Sequence, residues 1–69
     1  MNTFEAMVWL DDNGGKWSVR ATAQTCAVVA AVGAVRVVVP TTRLGPKQVD
    51  DALVDAVEEL QGALGSGAG

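Results

Sequence analysis

A small α+β domain is the fold this sequence predicts: a three-stranded sheet packed by a C-terminal amphipathic helix, in the order ββαβα. Three observations predict it. Two runs of alternating apolar and polar residues, 3–10 and 16–23, flank Asp12-Asn13-Gly14-Gly15. A valine-rich run, 35–39, lies between Gly33 and Pro40, and the segment from Pro46 onward repeats apolar residues at helical spacing. The 69 residues leave room for one domain, since a chain of this size buries only about 60% of its unfolded surface.

The first two runs read as a hairpin. Asn13-Gly14 suits a type I′ turn, whose two central residues need positive φ. That register sets Leu10 opposite Trp17, Val8 opposite Val19, Ala6 opposite Ala21 and Phe4 opposite Ala23, an apolar face throughout. The reverse face would carry Glu5, Met7 and Trp9 against Ser18, Arg20 and Thr22.

Residues 24–33 lose the alternation and become alanine-rich. They are expected to form a short helix with Thr25 as N-cap and Gly33 just past its end. The β-branched Val28, Val29 and Val32 support a competing arrangement, βββα, in which the second strand continues through Val29. Residues 35–39 read as the third strand, with Pro40 closing it because proline cannot donate to a ladder. The last helix is expected to start at Pro46, whose fixed φ suits a first helical position, and to end near Gly65. Val49, Ala52, Leu53, Ala56, Val57, Leu60, Ala63 and Leu64 fall on one stripe, with Asp51, Asp55 and Glu58 opposite; only Val54 breaks the pattern. The domain then spans residues 1–64, and residues 65–69, Gly-Ser-Gly-Ala-Gly, read as a flexible tail.

Composition narrows the functional classes. Apolar residues make up 49% of the chain and aromatic ones 4%, so the core is built mainly from Val, Ala and Leu. Such a core rarely yields more than ~3–5 kcal/mol at this length. Self-association or a partner chain is therefore expected. One cysteine and no histidine exclude an internal disulfide and a Cys/His zinc site. Residues 1–10 carry Glu5 and no basic stretch, so they do not read as a secretory signal. The apolar run 26–35 is interrupted by Arg36 and falls short of the ~20 residues that span a bilayer. A cytoplasmic protein without a membrane segment is the expectation. A net charge of −3 argues against general affinity for nucleic acid. Heavy use of Ala, Val and Gly suggests a GC-rich bacterial genome or one of its phages.

No catalytic, cofactor or metal site is expected. Asn13-Gly14-Gly15-Lys16 lacks the early glycine of a phosphate-binding loop, and Trp17 stands where that loop needs Ser or Thr. Asp11, Asp12 and Asn13 lack the spacing of a calcium loop. The carboxylates Asp50, Asp51, Asp55, Glu58 and Glu59 occupy the polar side of the last helix, where they serve as a solvated face or a docking surface for a basic partner. The serines and threonines have no histidine to activate them, and nothing marks Lys16 or Lys47 as a buried, activated amine. Cys26, among Ala27, Val28 and Val29, reads as a small buried hydrophobe without a resolving thiol.

The functional expectation is therefore a non-enzymatic interaction or assembly module that binds a protein partner or its own copies. Met7, Trp9, Arg20, Arg36 and Val38 are the candidate partner-binding residues, because period-two alternation puts them on one side of the predicted sheet. Trp, Met and Arg are also the types enriched at interfaces. Were the short helix to cover this side, Trp9 would be a core residue instead. The alternative function is a small regulatory protein, antitoxin-like or linked to nucleic acid, with a basic patch drawn from Arg20, Arg36, Arg43 and Lys47.

Val35-Arg36-Val37-Val38-Val39-Pro40, then Arg43-Leu44 and a helix closing on Leu64-Gly65, resembles the end of the effector domain of IclR-type transcriptional regulators. The resemblance covers less than half of the chain. The ligand-binding remainder and DNA-binding helices of such regulators have no counterpart in it, so it implies no function here.

Overall fold

The computed structural model describes residues 1–41 and 45–68; Thr42, Arg43, Leu44 and Gly69 lie outside the described residues. The elements are α1 (Thr3–Asp12), β1 (Lys16–Ala21), β2 (Cys26–Val32), β3 (Val35–Thr41) and α2 (Pro46–Ala68). The strands form an antiparallel sheet in the order β1-β2-β3. Both helices pack on the same face of it: Ala6 and Leu10 of α1 join Ala52, Leu53, Ala56, Val57 and Leu60 of α2 over Val28 and Ala30 of β2. The fold is thus an α+β domain whose three-stranded sheet is packed by the C-terminal helix, but its order is αβββα rather than ββαβα.

The first correction is at the N-terminus, where residues 3–10 are helical and no hairpin forms around Asn13-Gly14. Two caps explain why. Asn2 is the N-cap: its side-chain oxygen accepts from the Glu5 N–H at 2.8 Å, while the Glu5 carboxylate accepts from the Asn2 N–H at 3.0 Å. This is a capping box, which satisfies two donors that a helix start leaves unpaired. At the other end Gly14 takes φ 68°, its N–H donating to the Asp11 carbonyl at 3.2 Å, and the Gly15 N–H donates to the Leu10 carbonyl at 2.7 Å. That pair of bonds is a Schellman cap. The glycines that suit a hairpin turn equally suit a helix end, and here they end a helix.

The second correction concerns residues 24–33. They form the central strand β2 and not a short helix; the competing βββα arrangement has extended backbone here, but as a continuation of the strand before it, whereas β2 is a separate strand that runs back antiparallel to β1. Every residue of Cys26–Val32 is apolar, on the helix-covered face and the open face alike, which removes the alternation that marks a half-buried strand. Thr25 caps no helix. Instead its carbonyl accepts from the Thr22 N–H at 2.7 Å and its N–H donates to Thr22 Oγ1 at 3.0 Å, closing the loop between β1 and β2. The tight hairpin turn of this chain is Gly33-Ala34, between paired Val32 and Val35.

The third strand forms as expected and runs through Pro40 to Thr41, an arrangement open to proline because β3 is an edge strand. Val35, Val37 and Val39 pack against the core. The final helix starts at Pro46 as expected and continues to Ala68 rather than stopping at Gly65. Its stripe is buried from Ala52 to Leu60, and Val54 also packs against the core.

Gly15 links the layers. A Cβ there would lie 2.8 Å from the side chains of Leu10 and Val32 and 2.9 Å from the Ala31 carbonyl oxygen. Backbone as well as side chain would have to move. Gly15→Ala is therefore expected to cost roughly 1–3 kcal/mol of stability, the range for overpacking a filled site. Urea unfolding followed by circular dichroism checks this, with Gly62→Ala, where a Cβ meets nothing within 4 Å, as the neutral or mildly stabilising control.

Candidate protein-interaction surfaces

The helical state of residues 3–12 sorts its apolar side chains in a way a strand would not. Residues two apart on a helix point about 160° away from each other, while residues four apart share a face. Ala6 and Leu10 therefore face inward and are buried, whereas Phe4 and Val8 face outward, 73% and 42% exposed. Met1 and Met7 are exposed beside them, and Trp9 sits at the boundary, half-buried against the core. A shallow groove of about 310 Å³ runs along this face, lined by Phe4, Glu5, Val8, Trp9 and Asp12. The helix is apolar on both sides and carries only acidic charge: Glu5, Asp11 and Asp12.

A second surface is the face of the sheet turned away from both helices. The pairing sets three rows across it: Lys16, Ala31 and Arg36; then Ser18, Val29 and Val38; then Arg20, Ala27 and Pro40. Small apolar residues fill the middle. Val38 is 52% exposed, and the three basic side chains stand at the two ends. No strand carries a carboxylate, because all eight acidic residues lie on the helices. The layers thus differ in charge as well as in structure.

The candidate residues divide between these surfaces. Arg20, Arg36 and Val38 share the open sheet face, while Met7 and Trp9 lie on α1 in the other layer. Their grouping on one side of a sheet fails because Met7 and Trp9 are not strand residues. Arg43 lies outside the described residues. Phe4 and Val8, assigned to the core from the hairpin register, are the most outward apolar residues of α1. The overlooked signal was Asn2 followed three residues later by Glu5, the capping-box spacing that marks a helix start. The two tryptophans also exchange roles, Trp9 packing on the core and Trp17 standing 38% exposed on β1.

A cleft of about 670 Å³ between the start of α1 and α2 is lined by Asn2, Lys47, Asp50, Asp51 and Asp55 among others, and among the described residues no acidic or sulfur cluster has metal-binding geometry. Cys26 is half-buried, its Sγ donating to the Thr41 carbonyl at 3.0 Å. Among the described residues no helix is long and apolar enough to cross a membrane. Comparison with known protein families, with curated proteins and with solved structures gives no match. The short likeness to IclR-type regulators accordingly carries nothing further.

The exchanged tryptophans make a direct comparison possible. Trp9→Ala is expected to cost roughly 2–3 kcal/mol, below the full range for a buried tryptophan because the ring is only half covered. Trp17→Ala should cost about 1 kcal/mol or less, in line with its exposure. Denaturant midpoints of the two variants check the order; a larger loss at Trp17 would contradict this placement.

Proposed function

We propose that the protein is a non-enzymatic interaction or assembly module, acting in the cytoplasm, that docks a protein partner on the outward face of α1. The observation that carries this reading is the exposed apolar stripe of Phe4, Val8 and Met7 on a short, doubly capped helix. An amphipathic surface helix turns its polar side to water, and one that is apolar all round is normally buried. Contiguous apolar surface of this kind is characteristic of interaction sites. Phe4 and Val8 stand one helical turn apart, the spacing with which a helix presents anchors to a partner.

A second reading, a small regulatory protein of antitoxin type that contacts nucleic acid, is favoured by one observation. Lys16, Arg20 and Arg36 gather on a sheet face free of carboxylates. A strongly salt-dependent shift on DNA or RNA, lost in Arg20→Ala/Arg36→Ala, would promote it.

The test of the first reading replaces Phe4 and Val8 together by serine. Their exposure predicts a change in stability of no more than about 1 kcal/mol for the pair. Complexes formed by the native chain, read by sedimentation and by mass spectrometry of what co-purifies, should be lost in the double variant. Complexes that survive the double substitution unchanged would refute α1 as the docking surface.

A further inference from the structure

The partner class follows from charge. Glu5, Asp11 and Asp12 are the charged residues of α1, and none of its own residues is basic. Two such helices packed on each other would bring like charges together with nothing to neutralise them. The stripe instead fits an apolar surface with a basic rim, and the chain carries one: the open sheet face, with exposed Val38 in the middle beside the small Ala27 and Ala31. We propose that α1 of one copy docks on the open sheet face of a second copy, an inference that rests on α1 being the docking surface.

The two surfaces match in size and in the placement of their charges. Three strands spaced by about 4.8 Å make a face about 10 Å wide, the diameter of one helix. Lys16 and Arg36 share one end of this face, and Arg20 stands at the other. Four residues of strand separate Lys16 from Arg20, roughly 13 Å. On α1, two acids, Asp11 and Asp12, mark one end, and Glu5 lies six to seven residues earlier, roughly 10 Å along the axis. A pair of acids and a single acid therefore meet a pair of bases and a single base at similar spacing. This sets the direction: the C-terminal end of α1 lies over Lys16 and Arg36, and its first turn lies over Arg20. The contact also gives the bare sheet face a helix, turning two layers into three.

Such a contact joins unlike surfaces, so each copy keeps one free α1 and one free sheet face. Assembly is then head-to-tail, open-ended or closing into a ring, rather than a two-fold dimer. Ionic strength weakens it, because its charged groups lie at an exposed rim.

Sedimentation of the full chain over micromolar to millimolar concentration tests this, using two variants at exposed positions. Phe4→Asp damages the helix surface, and Val38→Glu damages the sheet surface; Arg36→Glu is a second sheet variant, and circular dichroism confirms that each is folded. The wild-type chain should grow past a dimer with concentration, and each variant alone should stay monomeric. An equimolar mixture of Phe4→Asp and Val38→Glu should form a dimer and stop there, since one intact surface of each kind remains. If both sheet variants associate like the wild type while Phe4→Asp does not, α1 remains the docking surface but its occupant is not the sheet, and the inference falls alone. If Phe4→Asp associates undiminished, the docking surface itself is wrong. A wild-type chain that stays monomeric throughout overturns the inference.

Discussion

The termination of α1 by Gly14 and Gly15 is the constraint on which the rest of this structure depends. The Leu10 carbonyl accepts the Gly15 N–H at 2.7 Å, and the missing side chain of Gly15 lets the helix end press against Val32 and the Ala31 carbonyl. The chain can then turn directly from α1 into β1 and bring Leu10 into the core. With the capping box of Asn2 and Glu5 at the other end, ten residues are held helical in a segment too short to be stable on its own in water. Packing of Ala6, Leu10 and Trp9 supplies what the isolated segment lacks.

Part of the fold was legible in the sequence, and the two segments that were not failed for different reasons. The last helix was readable because its stripe repeats over many turns, a period no strand can imitate. The third strand was bounded by Gly33 and Pro40, which break the chain before and after it whether Gly33 closes a helix or turns a hairpin. Residues 3–10 offered two consistent answers instead. Phe4, Ala6, Val8 and Leu10 alternate as a half-buried strand does, and Asn13-Gly14 serves a hairpin or a helix cap equally well. Only the Asn2 and Glu5 spacing discriminates between them. For β2 the ambiguity was of another kind, since a central strand with apolar residues on both faces has no period to read. The candidate surfaces inherit these limits. Arg20, Arg36 and Val38 could be grouped because strand alternation holds for β1 and β3, whereas Phe4 and Val8 were hidden by the same register that misplaced α1.

Secondary structure also sorts the charge of this protein. Valine-rich strands pair without carboxylates, while the helices carry all eight acids and the open sheet face carries Lys16, Arg20 and Arg36. The ion pair of Lys47 with Asp51 at 3.8 Å is exposed and adds little. The consequence is a small molecule with one acidic layer and one basic face, each bearing apolar residues that its own core leaves uncovered. Its thin core, built from alanine, valine and leucine, gives added value to any contact that covers them.

The account rests on residues 3–12 being a helix whose apolar side chains divide between core and surface. Solvent paramagnetic relaxation in a dilute sample, measured on the side chains of Phe4, Ala6, Val8 and Leu10, tests that division most directly. Phe4 and Val8 should relax strongly with a soluble paramagnet while Ala6 and Leu10 stay protected. Equal protection of all four would place them on one face of a strand, and α1 with its outward docking surface would be contradicted.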